Sequence, residues 1–246
     1  MRKTMVAAHT GCGKSPANTL ASFLEGIQSG ADIVEVDALV CKGGTVVLMH
    51  DDVSLLRQNT YEELNQPAVR RQLGAAYEEY ELAALHQVLQ ASAPLGTKLN
   101  IDLKSSESVE PVIRLIWQYG AEKRAFITGW YSAAIPQRHP DIQVMINTSI
   151  QLADVQLEGN REYAKRLCQD ARRSGYTGLN MRYDTCYPEI VSEAHAAGLA
   201  VWAYTVDERQ AMEKLIHMGV DAITTRKPEL LFAVVEELTG SPDMGA

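Results

Sequence analysis

The chain has 246 residues, 46% of them apolar, enough for one large core and close to the size of a single (β/α) barrel. Its 31 acidic against 23 basic residues give a formal net charge of −8, which argues against a broad nucleic-acid surface but leaves room for a local anion site. No apolar run is long enough for a membrane span, MRKTMVAAH lacks the features of a signal peptide, and the four cysteines at 12, 41, 168 and 186 have no CxxC spacing, so reduced thiols in a cytoplasmic protein are the expectation.

In chain order, Val6 to His9 reads as a first strand, and Pro16-Ala17-Asn18-Thr19 introduces LASFLEGIQSG, whose apolar residues recur at helical spacing and which Gly30 stops. Ile33 to Val40 and Thr45 to His50 read as the next two strands, separated by Lys42-Gly43-Gly44. Taken locally, the two glycines argue for a hairpin. A hairpin should carry His50 to the opposite sheet edge from Asp37, so residues 38 to 44 are expected to run back as an extended crossover if the two are to share a site. Residues 53 to 80 are polar and weakly periodic, and are expected to form an excursion over the active face. Six further strand candidates follow: KLNIDLK, RAFITG, IQVMIN, YTGLNM, LAVWAYTV and DAITT, mostly separated by helix-like stretches. The alternation favours one α/β domain over residues 1–246, a (β/α)8 TIM barrel with an insertion at about 53–80. Nine strand candidates are one too many for closure, so at least one is irregular. The tail SPDMGA is expected to fray.

Chemistry concentrates at the ends of the early strands, where a parallel α/β protein keeps its site. His9-Thr10-Gly11, Glu35-Val36-Asp37, His50-Asp51-Asp52 and Asn100-Ile101-Asp102-Leu103-Lys104 all lie there. Residues two apart on a strand share a face, so Glu35 pairs with Asp37, and Asn100 with Asp102 and Lys104. Side by side, such groups require charge compensation. His86, His139, His195 and His217 lack comparable carboxylate settings and read as structural or exposed. Trp202 and Tyr204 share one strand face; packing inside the barrel is the default for both, with Tyr204 also a candidate pocket wall.

These motifs carry a family resemblance. The sequence resembles the glycerophosphodiester phosphodiesterases, whose pattern runs His-Arg-Gly, Pro-Glu-Asn-Thr, Glu-x-Asp, His-Asp and Asn-Ile-Glu-x-Lys in the same order and at comparable spacing. The likeness extends through GADIVEVDALVCKGGTVVLMHDD and returns at VWAYTVDE and GVDAITTRKP. It implies a phosphodiesterase-type TIM barrel that hydrolyses a small glycerophosphodiester to glycerol phosphate and an alcohol. It further implies His9 and His50 as the catalytic pair, Glu35, Asp37 and Asp102 as ligands of one divalent cation, Mg²⁺ or Ca²⁺, and Lys104 as a phosphate contact. Chemistry agrees: a hard cation and a lysine lower the charge barrier to attack on an anionic diester, and two imidazoles can divide the proton transfers.

The pattern departs from the family at three motif positions. Thr10 replaces the arginine after the first histidine, Ala17 the glutamate before Asn18, and Asp102 a glutamate one methylene longer. Near the C terminus Tyr204 stands for a tryptophan and Asp207 for an asparagine. Lys14 is a candidate substitute for the missing arginine. The departures also admit a catalytically weakened barrel that only binds a phosphorylated ligand. A more distant alternative is a nucleotide-hydrolysing P-loop at Gly11-Cys12-Gly13-Lys14-Ser15; Ala8 in place of its first glycine, and Pro16 directly after the serine, argue against it.

Overall fold

The computed structural model describes residues 4–148 and 160–240; the tail SPDMGA lies outside them. Nine strands form: β1 (Met5–Ala8), β2 (Ile33–Val40), β3 (Val46–Leu48), β4 (Lys98–Leu103), β5 (Ala125–Thr128), β6 (Gln143–Thr148), β7 (Gly178–Arg182), β8 (Ala200–Tyr204) and β9 (Ala222–Thr225). Eight of them are parallel and close into a barrel in the order β1-β2-β4-β5-β6-β7-β8-β9, with β9 pairing back onto β1. The ninth, β3, runs antiparallel on β2 outside the ring. Helices cover the outside; the first, Leu20–Gln28, is capped by the Thr19 hydroxyl, which accepts the Ser22 N–H at 3.1 Å. No helix among the described residues is long and apolar enough to cross a membrane.

The hairpin forms, which corrects the expected crossover. β2 is eight residues long, but only Ile33 to Ala38 pair with β4. Leu39 and Val40 stand above the barrel rim and, with Ala38 at the rim, carry β3, Ala38 lying opposite Leu48 and Val40 opposite Val46. Gly43 and Gly44 turn the chain at φ of +89° and +88°, a region that residues with a Cβ rarely enter. Because the hairpin is built above the rim, its return leg descends to the rim again: the Met49 N–H donates to the Asp37 carbonyl at 3.2 Å. His50 therefore stands beside Asp37 after all.

The insertion has structure of its own. Residues 54–70 fold into three short helices, Ser54–Gln58, Tyr61–Leu64 and Pro67–Arg70. They bury Leu56 and Leu64, with Leu82, against Leu39, Cys41, Val47 and Met49 of the hairpin, making a small core of their own. Among the described residues none of 53–80 is in the lining of the cavity described below, although Tyr77 feels the charges of Asp37 and Asp51. The apolar residues of this segment were needed to cover the hairpin.

Inside the barrel the layers are distinct. Toward the amino ends of the strands, Ala7, Ile33, Phe126, Met145, Trp202 and Ala222 fill the interior, Trp202 tilted on Phe126 at 4.8 Å between ring centroids. Each large side chain buried this way contributes roughly 1.5–3 kcal/mol. Toward the carboxyl ends the lining turns polar, and there the cavity opens.

Candidate active site

A cavity of about 250 Å³ lies at the carboxyl ends of the strands, lined among others by His9, Glu35, Asp37, His50, Asp102 and Lys104. Six early-strand residues singled out in the sequence thus meet in one place. Tyr204, at the end of β8, also lines it, whereas Trp202 two residues earlier belongs to the apolar layer. Lys14 lines a neighbouring groove of about 690 Å³.

The acidic cluster comes from adjacent strands in register, Glu35 opposite Asn100 and Asp37 opposite Asp102. One ligand oxygen from each of Glu35, Asp37 and Asp102 lies within 4.8 Å of the others. Three hard oxygen donors at that separation suit a divalent cation such as Mg²⁺ or Ca²⁺. The Lys104 ammonium lies 2.9 Å from Asp37 Oδ1 and 2.6 Å from Asp102 Oδ2. Burial alone would pull the lysine pKa down, but the two carboxylates more than offset it and hold the ammonium charged. Glu35 is buried; that burial, together with Asp37 and Asp102, pushes its carboxyl well above the usual range despite the N–H it accepts from Thr10 at 3.1 Å.

Both histidines engage an oxygen acceptor at Nδ1. His9 Nδ1 lies 2.7 Å from the Thr10 carbonyl oxygen, which can only accept, so the proton sits on Nδ1 and Nε2 keeps its lone pair. Burial lowers the His9 pKa below the ordinary imidazole value; the Thr10 carbonyl opposes this and the charge of Arg226 adds to it. His50, which also lines the cavity, has Nδ1 2.7 Å from Asp51 Oδ1 on the exposed end of the hairpin.

Two residues without an assigned role in the sequence reading prove to be structural parts of the site. Asn18 adopts φ of +62°, and its side chain brackets Asp37: Nδ2 donates to Oδ2 at 2.7 Å while Oδ1 accepts the Asp37 N–H at 3.1 Å. Arg226, one residue past β9, lines both the cavity and the neighbouring groove. A polar layer of Asn100, Thr128, Asn147, Asn180 and Thr224 floors the cavity. Buried Asn180 Oδ1 and Thr224 Oγ1 have no hydrogen-bond partner among the described residues, so the floor keeps capacity for a ligand hydroxyl or water. The signal for this layer was present as lone polar residues near the carboxyl ends of IQVMIN, YTGLNM and DAITT. Two of the histidines read as structural or exposed each meet a single carboxylate: His195 meets buried Asp221 at 2.9 Å, at the opposite end of the barrel, and His139 meets Glu110 at 3.4 Å.

The P-loop alternative fails on the fold. A P-loop feeds directly into a helix, whereas here the helix begins only at Leu20, and Ser15 is turned to Glu25, donating from Oγ to Oε1 at 2.9 Å.

A closed parallel barrel with ionisable groups gathered at its carboxyl rim defines an enzyme of the TIM-barrel type. The model of the glycerophosphoryl diester phosphodiesterase family matches residues 9–230, and the chain belongs to that family. It is 26% identical over 252 residues to a glycerophosphodiester phosphodiesterase of Caldanaerobacter subterraneus, covering 96% of this chain and 99% of the relative. A glycerophosphodiester phosphodiesterase of Parabacteroides distasonis shares the fold at a TM-score of 0.77 and 22% identity, covering 96% of this chain and 98% of that one. So does an Oleispira antarctica phosphodiesterase solved with the product sn-glycerol-3-phosphate, at 0.76 and 21% identity, covering 95% and 97%. The protein is a phosphodiesterase-type hydrolase.

Proposed function

We propose that this chain hydrolyses a small glycerophosphodiester to glycerol phosphate and an alcohol, with His9 and His50 as the proton-transfer pair and one divalent cation, Mg²⁺ or Ca²⁺, held by Glu35, Asp37 and Asp102. The observation that supports this reading is that His9 and His50 line one cavity with the acidic cluster, each with Nδ1 against an oxygen acceptor. His9, kept neutral by its burial, takes the proton of the substrate's free glycerol hydroxyl on Nε2 as that oxygen attacks phosphorus. The bond from phosphorus to the alcohol oxygen breaks, and His50, acting in its doubly protonated form with Nδ1–H on Asp51, delivers its Nε2 proton to the leaving alcohol. Water then opens the cyclic phosphate with the two roles reversed. When bound, the cation supplies Lewis-acid polarisation of a phosphoryl oxygen. Lys104, on the same cluster, contributes a positive charge to the phosphate, and Tyr204 walls the pocket.

The test is turnover of a panel of glycerophosphodiesters, differing in the alcohol, with Mg²⁺ and with Ca²⁺. His9→Ala and His50→Ala should each lose on the order of 10²- to 10⁴-fold in rate. Glu35→Ala and Asp37→Ala should abolish metal binding in calorimetry while the fold persists. Turnover indifferent to metal, or undiminished metal affinity in both variants, would overturn the assignment. Binding of the diesters without hydrolysis of any would favour the weakened barrel.

A further inference from the structure

A phosphodiester entering this cavity meets three carboxyl groups, and the lysine that lines it, Lys104, is already committed to two of them. Thr10 offers no cation, and it is buried, with its Oγ1 accepting the Asn18 N–H at 2.5 Å. The adjacent strand supplies what the first lacks. β1 and β9 pair in register with Ala8 opposite Thr225, and the His9 N–H donates to the Thr225 carbonyl at 2.8 Å. Arg226 is the next residue, so it leaves the barrel at the level of His9. Asp207 fixes its base from both sides, accepting the Arg226 N–H at 2.8 Å and holding Nη1 at 3.2 Å. Among the described residues Nε and Nη2 have no acceptor, and the side chain is about half exposed.

We infer that Arg226 is the residue that grips the phosphodiester in this chain, donating from its free guanidinium edge to a non-bridging oxygen while Asp207 anchors the other edge. This rests on the reading that the cavity binds a phosphodiester. A planar fork suits the task, because two parallel N–H donors fix a phosphate's orientation where an ammonium fixes only its distance. Arg226 thereby orients phosphorus toward His9, its neighbour across the β1–β9 pair. The groove on the far side of Arg226, with Lys14 and Lys227 on its walls, is the competing place for an anion.

The experiment compares wild type, Arg226→Ala, Arg226→Lys and Lys14→Ala by calorimetric titration with sn-glycerol 3-phosphate, and by kcat and KM on the best diester of the panel. Arg226→Ala should weaken product binding by about 10- to 100-fold, the cost of one charge-assisted pair. Arg226→Lys should recover part of the affinity but not the kcat lost with orientation. Metal affinity and Tm should be unchanged in both, since neither the acidic cluster nor the core is touched. Lys14→Ala should bind as wild type. Unchanged product affinity in Arg226→Ala, or a loss confined to Lys14→Ala, overturns the inference while leaving the functional reading intact. A wild-type protein that neither binds the product nor turns over any diester overturns both.

Discussion

At the scale of single residues, Asn18 shows how this site is held together. A left-handed backbone is uncommon for any residue with a Cβ, and asparagine is among those that tolerate it best. Here that conformation aims both ends of the amide at Asp37, one at its carboxylate and one at its N–H. Asn18→Ala should cost on the order of 2 kcal/mol in urea unfolding, from lost hydrogen bonds and backbone strain together. Asn18→Gly separates the two effects, because glycine accepts the backbone at no strain and still leaves Asp37 unsupported. Both variants should lose about 10- to 100-fold in Mg²⁺ affinity, as removal of outer support for a metal ligand does. Full affinity in Asn18→Gly would show that Asp37 needs no help. The residue was visible in the sequence within Pro16-Ala17-Asn18-Thr19, but its role was not, since the partner lies 19 residues on and only the pairing of β2 with β1 brings it beside that loop.

At the scale of elements, most strands were legible because alternating βα units leave apolar runs bounded by glycines and polar residues, and the candidate site followed from the ends of those runs. The hairpin at β2–β3 was not, because its local signal had to be weighed against an assumption about sheet level that holds only if a strand stops at the rim. Arg226 escaped for a related reason: its meaning depends on β9 closing against β1, which no local window reveals. The closure of β4 and β5 has its own requirement. Gly129, directly after β5, has φ of +96°, and a Cβ there would stand 2.4 Å from the Leu103 carbonyl oxygen and 2.6 Å from Asp102 Oδ1. Gly129→Ala should therefore cost more than about 2 kcal/mol in urea unfolding and displace Asp102 from the cluster, with a measurable loss of metal affinity. Gly44→Ala has the same sign of φ, +88°, but nothing within 4 Å of the added methyl. Its cost should be backbone strain alone, about 1 kcal/mol. Equal losses in the two variants would deny the steric conflict at Asp102.

At the scale of the whole molecule, the layer between barrel and helices buries free thiols that tie stability to alkaline pH. Burial pushes the Cys168 thiol up to about 11 and the Cys186 thiol up to about 12, both free cysteines. An unfolded thiol ionises near about 8.5. Above that pH the unfolded chain binds fewer protons than the folded one, so stability falls as pH rises and is full only below it. The slope is at most about 1.4 kcal/mol per pH unit for each thiol. Urea midpoints should drop between about pH 8.5 and 10.5, and Cys186→Ala should flatten the drop; an identical slope in the variant would place the alkaline sensitivity elsewhere. The hairpin above the rim has a different consequence for the molecule. His9 hangs from a strand fixed on both sides by the closed ring, whereas His50 rides on three ladder pairs and a bridge from Val47 to Ala84, over a small core separate from the barrel's. One half of the proposed proton-transfer pair is thus built into the scaffold and the other is carried on an attachment. The attachment can be lengthened, exchanged or re-aimed as a module, so new leaving groups can be accommodated without recutting the ring of strands that holds the acids.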